Sequence, residues 1–325
     1  MTRDFADVLV VIPCLNEEAH LPGLLEVLLR DTPGATIAVA DGGSSDASRA
    51  IVSAAAERHP AVRLVDNPDR LQSAGVNRAA ARLGENKRWL VRVDAHCHYP
   101  RNYVAGLITA AERTGANSVV VPMRSIGGGC FQRAAATAQN SRLGTGGSPH
   151  RHVGVGAFVD HGHHALFEME RFQALGGYDE RFPTNEDAEF DHRQTMSGAR
   201  IWLEPRLALD YLPRATPPAL FRQYLRYGQG RALTIRRHRM RPKLRQLLPL
   251  APPLALVLAC AAPWLPIAAL PAVAWTLASL GYGLVLGLAA RDGCMGASGV
   301  AAMIMHVAWG VGFLSRYPLK RLTKR

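Results

Sequence analysis

Acidic side chains at three places in the chain could support metal or phosphate chemistry. Asp94 directly follows the apolar residues 89–93, and His96 lies two positions later. Asp41 ends an earlier apolar run, and Glu186-Asp187 begins a later helical pattern. A carboxylate at the end of a buried strand is held rigidly but faces a cleft, which suits a bound cation or phosphate. Together these residues predict an enzyme that handles a nucleotide through a divalent cation.

The first hundred residues alternate between strand and helix patterns. Apolar, β-branched runs predict strands at residues 8–12, 37–40, 62–65 and 89–93, and helical spacing predicts helices at residues 17–30, 47–58 and 73–83. Buried strands joined through helices indicate an α/β fold with a mainly parallel sheet flanked by helices. Ligands of such sheets bind beyond the carboxyl ends of the strands, where Asn16, Asp41 and Asp94 all fall.

After residue 99 the pattern becomes less regular. It predicts a helix at 100–114, a strand at 118–123, a strand-like segment at 154–164, and helices near 169–175 and from residue 185. Residues 127–147 are rich in glycine and other small residues, so we expect a mobile loop around a short helix there.

Charge is distributed unevenly along the chain. The formal net charge is +12, yet residues 246–315 carry only Arg291 and Asp292 as charged side chains. Basic residues cluster at 236–245 and 316–325, on both sides of this apolar region. That placement is typical of membrane flanks and lacks the aromatic interleaving of a nucleic-acid module. We therefore predict a globular domain at 1–245, a membrane-associated region at 246–325, contact with membrane lipid and no nucleic-acid partner.

The apolar region is long enough for several membrane elements. Residues 247–290 could form two spans of ~20 residues each, and residues 297–313 form a short third stretch. Three spans would place the basic C-terminus outside, against the positive-inside rule. Pro249, Pro252 and Pro253 favour a broken or shallow first element. We expect two spans plus a shallow segment, in a multi-pass protein of the cell membrane with a cytoplasmic catalytic domain.

The five cysteines are scattered and odd in number. No spacing pairs them, which is typical of a protein in a reducing cytoplasm. The N-terminal residues contain no apolar segment of a secretory signal, which also favours a cytoplasmic location. The cysteines are Cys14, Cys97, Cys130, Cys260 and Cys294.

Three longer segments share their order and spacing with a known family. They are Val10-Val11-Ile12-Pro13-Cys14-Leu15-Asn16-Glu17-Glu18, Asp41-Gly42-Gly43-Ser44-Ser45-Asp46, and Leu175-Gly176-Gly177-Tyr178-Asp179-Glu180-Arg181-Phe182 followed by Glu186-Asp187. In that order they resemble family 2 glycosyltransferases with the GT-A fold, over about residues 8–240. The Asp94-Ala95-His96 form, with Ser148-Pro149-His150-Arg151 and the apolar tail, is similar to the succinoglycan-type glucosyltransferases, the ExoA group.

The resemblance implies a nucleotide pocket at the first two segments. Asp41 would contact the nucleotide base, and Pro13, Asn16 and Glu17 would line the same pocket. The alternative is an ordinary structural role, because an aspartate such as Asp41 can close a turn and one such as Asp46 can cap a helix. Both roles are compatible at Asp41.

Asp94 and His96 occupy the place of the family's Asp-x-Asp motif, which implies that they bind the metal. A divalent cation can neutralise the charge that develops on a pyrophosphate leaving group. Carboxylate oxygen suits Mg²⁺ or Mn²⁺, whereas imidazole shifts the preference toward Mn²⁺. Histidine departs from the commoner pattern. Zinc is not expected, because His96-Cys97-His98 lacks four spaced ligands.

The resemblance makes Asp187 the predicted catalytic base. In an inverting transfer a carboxylate takes the proton of the acceptor hydroxyl as the hydroxyl oxygen attacks the anomeric carbon. Glu186 is expected to support Asp187 or to contact the acceptor. For both residues the alternative is an ordinary acidic partner of a helix N-terminus.

Two further segments carry candidate residues. Residues 223–227 resemble the Gln-x-x-Arg-Trp element of membrane polysaccharide synthases, with Tyr227 in place of tryptophan. Arg226 would hold the diphosphate, and Gln223 and Tyr227 would contact the sugar or acceptor. An amphipathic helix lying on the bilayer is an equal alternative. A histidine from the set His161, His163 and His164 could also join the metal or acceptor site.

These expectations describe an inverting, metal-dependent transferase. By resemblance it would move a hexose, glucose, from a UDP-linked sugar to a lipid-linked saccharide in exopolysaccharide or cell-envelope glycan synthesis. A polyprenyl-phosphate sugar synthase is the alternative within the same class. A membrane-anchored sugar-nucleotide binding protein without transfer activity is the alternative from another class.

Overall fold

The computed structural model describes residues 3–146 and 154–317, which form two compact units. Unit 1 combines Met1–Met123 with Val153–Asp210, and unit 2 combines Arg124–His152 with Tyr211–Arg325. These limits differ from the division at residue 245 that hydropathy suggests, because residues 124–146 and 211–245 belong to the same unit as the apolar region. The motif Ser148-Pro149-His150-Arg151 and the basic residues after position 317 lie outside the described residues.

The sheet elements confirm the predicted α/β fold. The strands are β1 (Val8–Cys14), β2 (Thr36–Asp41), β3 (Val62–Asp66), β4 (Trp89–Arg92), β5 (Ser118–Val121), β6 (Met123–Ser125), β7 (Ala157–Val159), β8 (His163–Glu168), β9 (Ile201–Leu203) and β10 (Leu209–Tyr211). Eight of them form one sheet in the order β3-β2-β1-β4-β8-β5-β9-β7. β1 pairs in parallel with β2 and β4, whereas β8 runs antiparallel between β4 and β5. The carboxyl ends of β1, β2 and β4 therefore meet at one edge.

The helices are α1 (Leu21–Asp31), α2 (Ser48–Arg58), α3 (Gln72–Leu83), α4 (Tyr103–Thr114), α5 (Cys130–Asn140), α6 (Arg142–Thr145), α7 (Met169–Ala174), α8 (Glu186–Met196), α9 (Pro217–Arg237), α10 (Leu244–Leu247), α11 (Ala251–Ala259), α12 (Leu270–Ala290), α13 (Gly293–Gly296) and α14 (Ser298–Arg316). In unit 1, a buried core joins β1, β2 and β4 to α3, α7 and α8 through residues such as Leu9, Val76, Phe172 and Phe190. Burial of these side chains fixes the loops at the sheet edge.

Two elements differ from the sequence prediction. The first helix, α1, begins at Leu21 rather than at residue 17, because Pro22 suits the first helical turn. Residues 15–19 are thereby left as a loop beside the sheet edge. In the glycine-rich segment, α5 is an eleven-residue helix rather than a short piece within a loop. Its buried face consists mainly of alanine, which hydropathy patterns hardly reveal.

Unit 2 is helical and depends on close contacts between helices. α9 packs along α14, and a Cβ on Gly228 or Gly312 would overlap a backbone carbonyl oxygen of the facing helix, that of Trp309 or Leu225. Only glycine permits this approach. The stretches Pro266–Ala290 and Gly293–Arg316 are long and apolar enough to cross a membrane, and Leu248–Ala259 is a shorter apolar helix. Their number and lengths match the two long stretches and the shorter one that hydropathy indicates, and the expected two spans plus a shallow segment stay a prediction.

A disulfide joins Cys130 at the start of α5 to Cys294 in α13. The spacing of the cysteines did not predict this pair, because 164 residues separate them and only the packing of unit 2 brings them together. The expectation of unpaired cysteines is therefore wrong for these two. Cys14, Cys97 and Cys260 are free thiols.

Candidate active site

A buried arginine organises the acidic residues of unit 1. The side chain of Arg92, the last residue of β4, is only 3% exposed. Its guanidinium lies 2.7 Å from Asp187 Oδ1, 3.5 Å from Asp94 Oδ1 and 3.8 Å from Glu186 Oε1. Alternate residues of a strand point to the same side, so Arg92 directs its charge toward the side on which Asp94 follows. Three of the predicted site residues thus meet around one cation.

Asp187 is held in one orientation by two donors. Arg92 and the hydroxyl of Tyr178 both donate to Oδ1, the latter over 2.9 Å. Tyr178 is in turn fixed by Asn77, which accepts from its backbone N–H and donates to its carbonyl. Gly177 has φ +65° and leaves no room for a Cβ beside Asn77. The Gly176-Gly177-Tyr178 segment therefore serves to position the candidate base.

The contacts described for this cluster join more acidic groups than basic ones. Burial is the main cause that raises the pKa of Glu186 to about 7, and the negative charge of Asp187 raises it further. Burial alone would lower the pKa of Arg92, but Asp187 and Asp94 raise it well above its ordinary value. One guanidinium therefore faces two or three negative charges, depending on the protonation of Glu186. A negative excess of this kind attracts a cation.

Besides Arg92, Asp94 has polar neighbours from two elements, α3 and β8. Gln72 Nε2 donates to Oδ1 over 3.0 Å, and His163 Nε2 lies 3.6 Å from Oδ2. His161, two residues before His163, contacts the buried Asp191 carboxylate at 2.7 Å through Nδ1. Of the three histidines considered from the sequence, His163 is thus the one recorded beside Asp94. The side chain of His164 lies outside the described part.

His96 contacts Glu17 rather than Asp94. Its Nδ1 lies 2.9 Å from Glu17 Oε1, and its side chain is 51% exposed. Across the described residues, no cluster of three or more His, Cys, Asp or Glu side chains is preformed for a metal. The donor chemistry nevertheless fits a divalent cation, because Asp94 belongs to a cluster with excess negative charge and has imidazole beside it.

The predicted nucleotide pocket lies where the loops after β1 and β2 are joined by hydrogen bonds. Asp41 is buried, and its carboxylate accepts from Gly43, Ser44 and Arg49. Burial opposes the charge of Asp41, but these donors, Ser44 first and then Arg49, lower its pKa overall. Asn16 has φ +58° and accepts through Oδ1 from the Ser45 backbone. The turn-closing role of Asp41 is present, and its contact with a nucleotide stays a prediction.

The remaining candidates occupy different places. Asp46 lies one residue before Ala47, the N-cap of α2, and accepts from the backbone N–H of Ser48, the first residue of that helix. Pro13 lies within β1. Gln223, Arg226 and Tyr227 lie on α9 in unit 2, where Gln223 Nε2 donates to the hydroxyls of Tyr211 and Tyr227.

Sequence reasoning missed Arg92, Tyr178 and Asn77. Arg92 carried a signal, because it is the one charge inside the apolar segment 89–93. A charge in a buried strand requires a partner, and the partner here comes from α8. Asn77 gave no such signal, since an asparagine on a helix is ordinary.

Comparison with known proteins shows the family of this chain. The glycosyl transferase family 2 model matches residues 9–176. The chain belongs to glycosyltransferase family 2 and is a glycosyltransferase. It is 48% identical over 309 residues to the succinoglycan biosynthesis protein ExoA of Rhizobium meliloti (strain 1021), with 94% of this chain and 93% of that protein covered.

A solved structure confirms the GT-A type of fold. The mannosyltransferase PcManGT from Pyrobaculum calidifontis, determined in complex with GDP-Man and Mn²⁺, superposes with a TM-score of 0.60. The two sequences are 20% identical, and the match covers 92% of this chain and 86% of that chain. At this identity the likeness concerns the fold alone.

Proposed function

We propose that the protein is an inverting, metal-dependent glycosyltransferase of succinoglycan-type exopolysaccharide synthesis. It transfers a hexose, glucose, from a UDP-linked sugar to a lipid-linked saccharide. The convergence of Asp94, Glu186 and Asp187 on the buried Arg92 carries this proposal, because it joins the candidate metal ligand and the candidate base in one charged cluster. The similarity to the succinoglycan biosynthesis protein supports the pathway.

Asp187 acts as the base in this mechanism. Its carboxylate takes the proton of the acceptor hydroxyl while the oxygen bonds to the anomeric carbon and the bond to the nucleoside diphosphate breaks. Arg92 and Tyr178 hold the carboxylate in place, which reduces the cost of orienting it at each turnover.

The donor would be held by residues at and just beyond the ends of β1 and β2, together with a bound cation. Mn²⁺ or Mg²⁺, bound by Asp94 with His96 or His163, would neutralise the departing diphosphate. Pro13, Asn16, Glu17 and Asp41 line the nucleotide pocket. The remaining predicted contacts are Arg226 for the diphosphate, and Glu186, Gln223 and Tyr227 for the acceptor.

The membrane region keeps the enzyme near its acceptor. We infer a cytoplasmic catalytic region within 1–245 and a multi-pass membrane region within 246–325. The two long apolar stretches support this arrangement by their length and composition. An acceptor that carries a lipid resides in the bilayer, so attachment raises its local concentration around the enzyme.

The test compares Asp187→Asn with the parent in transfer from radiolabelled UDP-glucose. With a lipid-linked glycan as acceptor, we expect kcat to fall roughly 10²–10⁴-fold. Thermal stabilisation by the donor should remain. Asp69→Asn, at an exposed ion pair, is the matched control and should retain activity.

Each alternative predicts a different outcome. Unchanged transfer by Asp187→Asn would exclude it as the base. Transfer by the parent to polyprenyl phosphate alone would identify a polyprenyl-phosphate sugar synthase. Donor binding without transfer to either acceptor would indicate a binding protein. Thermal shifts with UDP-, GDP- and dTDP-sugars, with and without Mn²⁺, identify the donor, because a ligand stabilises the state that it binds.

A further inference from the structure

Unit 2 contains a cavity whose described lining includes none of the predicted catalytic, donor-binding or metal-binding residues. Its volume is about 1170 Å³, somewhat larger than the roughly 300–1,000 Å³ of typical small-molecule sites. Three arginines from three elements line it, Arg124 of β6, Arg133 of α5 and Arg142 of α6. None of its described lining residues is Asp or Glu. This composition favours an anionic ligand.

The arginines do not all have the same environment. Arg133 Nη1 is 2.8 Å from Asp292 Oδ2, so its charge is matched within the protein. Arg142 is exposed at the start of the short helix α6. A guanidinium presents paired donors that match the oxygens of a phosphate. Arg142 is therefore the position where a phosphate contact is most directly testable.

Another part of the cavity wall is apolar. Tyr282 and Leu286 come from α12, and Met295 comes from α13. α12 belongs to the stretch Pro266–Ala290, which is long and apolar enough to cross a membrane. Its exposed neighbours Leu284, Val285 and Leu288 continue the apolar surface beyond the cavity. A ligand with a phosphate and a long apolar chain matches both walls.

Two cross-links hold these walls together. The Cys130–Cys294 disulfide joins the start of α5 to α13, and the Arg133–Asp292 ion pair joins the same two regions. The arginine wall and the apolar wall are thus kept at a fixed separation. A preorganised cavity loses less conformational entropy when a ligand binds.

We propose that this cavity binds the phosphate-bearing head of a membrane lipid. Arg142 and Arg124 contact the phosphate, and the lipid chain lies against Tyr282 and Leu286. The phosphate can belong to a bilayer phospholipid or to the lipid carrier of the acceptor. Binding is measured without donor, so the result does not depend on the proposed transfer.

The experiment measures binding of the full-length protein to vesicles by flotation. Phosphatidylcholine vesicles contain a low mole fraction of either phosphatidylglycerol or a polyprenyl phosphate, which keeps the surface charge small. Arg142→Gln should weaken binding to at least one vesicle type by roughly tenfold, as expected for one lost charge-assisted contact. Arg222→Gln removes the same charge from an exposed position of α9 and should change binding less than about twofold.

The two vesicle types identify the source of the phosphate. If Arg142→Gln loses binding only to vesicles with phosphatidylglycerol, the ligand is a bilayer phospholipid. If it loses binding only to vesicles with polyprenyl phosphate, the ligand is the lipid carrier. Equal binding by Arg142→Gln and the parent on both types would overturn the proposal, as would an equal loss in Arg222→Gln.

A second variant tests the apolar wall and guards against misfolding of the first. Tyr282→Ser should weaken binding to the same vesicle type as Arg142→Gln does. In a separate competition experiment with the parent, inorganic phosphate should displace the vesicles poorly. If inorganic phosphate displaced the lipid at comparable concentration, a lipid site would be excluded. Thermal unfolding of each variant confirms that it is folded.

Discussion

The two units contain charged sites of opposite kinds. In unit 1 three carboxylates surround one buried guanidinium, and hydrogen bonds from Tyr178 and Gln72 fix two of them. In unit 2 arginines line an open cavity whose other wall is apolar. In the first site the carboxylates contact a guanidinium of the protein, whereas the second presents arginine side chains to a cavity that a ligand could enter. Mutations should therefore affect folding in the first site and binding in the second.

Removal of Arg92 should have the largest effect on stability. Arg92→Met leaves the partly buried Asp94 and Asp187 without their cation, which should lower the free energy of unfolding by about 3 kcal/mol. Urea denaturation measures this change. Arg82→Met, at an exposed position of α3, is the control and should stay within about 0.5 kcal/mol. Similar values for the two variants would show that the cluster is not a paired, buried site.

Loss of the disulfide should have the next largest effect, in unit 2. Cys130→Ser opens a link between residues 164 positions apart and should lower the free energy of unfolding by about 2–4 kcal/mol. Cys260→Ser removes an exposed free thiol and is the matched control. Thermal unfolding under oxidising conditions compares the two. If both variants unfold at the same temperature as the parent, the disulfide does not form in the purified protein.

Glu186 should make unit 1 sensitive to pH. Its folded-state pKa of about 7 lies above the ordinary value of 4.5, so protonation favours the folded form. That stabilisation is complete below about pH 4.5 and is lost as the pH rises through 7. Glu186→Gln removes the dependence, so its stability relative to the parent should increase from pH 5 to pH 8, by about 1–3 kcal/mol.

The control for this pH effect is Glu57→Gln. Glu57 is exposed on α2, and its replacement should give the same stability difference at both pH values. Urea unfolding at pH 5 and pH 8 measures all three proteins. A pH-independent difference for Glu186→Gln would contradict the raised pKa of Glu186.

His96 should have the smallest effect on folding. His96→Asn breaks a partly exposed pair with Glu17 and should change the free energy of unfolding by less than about 1 kcal/mol. The second measurement is the thermal stabilisation of each protein by Mn²⁺ with UDP. If His96 binds the metal, this stabilisation is smaller in His96→Asn than in the parent. If it is kept in His96→Asn and lost in His163→Asn, the ligand beside Asp94 is His163.

Patterns of local sequence predicted the sheet but not the contacts across it. The strands at 8–12, 37–40 and 89–93 follow from apolar β-branched runs, and their ends correctly predict the edge where Asp41 and Asp94 lie. Arg92 was missed because its partners come from α8, almost a hundred residues later. The predicted pairing of Asp94 with His96 in one ligand set is not preformed, since Glu17 competes for the imidazole.

Unit 2 was harder to predict for a different physical reason. Hydropathy detects long apolar stretches, but α5 buries alanines, which contribute little to such a pattern. The Cys130–Cys294 bond depends on the packing of α5 against residues after α12, which local sequence does not specify. Hydropathy therefore predicted the apolar helices but not the segments against which they pack.

The glycine contacts between α9 and α14 have a consequence for the medium in which the protein folds. Exclusion of water does not drive helices together in hydrocarbon, where close van der Waals contact between backbones takes its place. Gly228 and Gly312 provide such contact directly, at the carbonyl oxygens of Trp309 and Leu225. The pairing of these helices is therefore suited to both water and lipid, and should survive transfer from one solvent to the other.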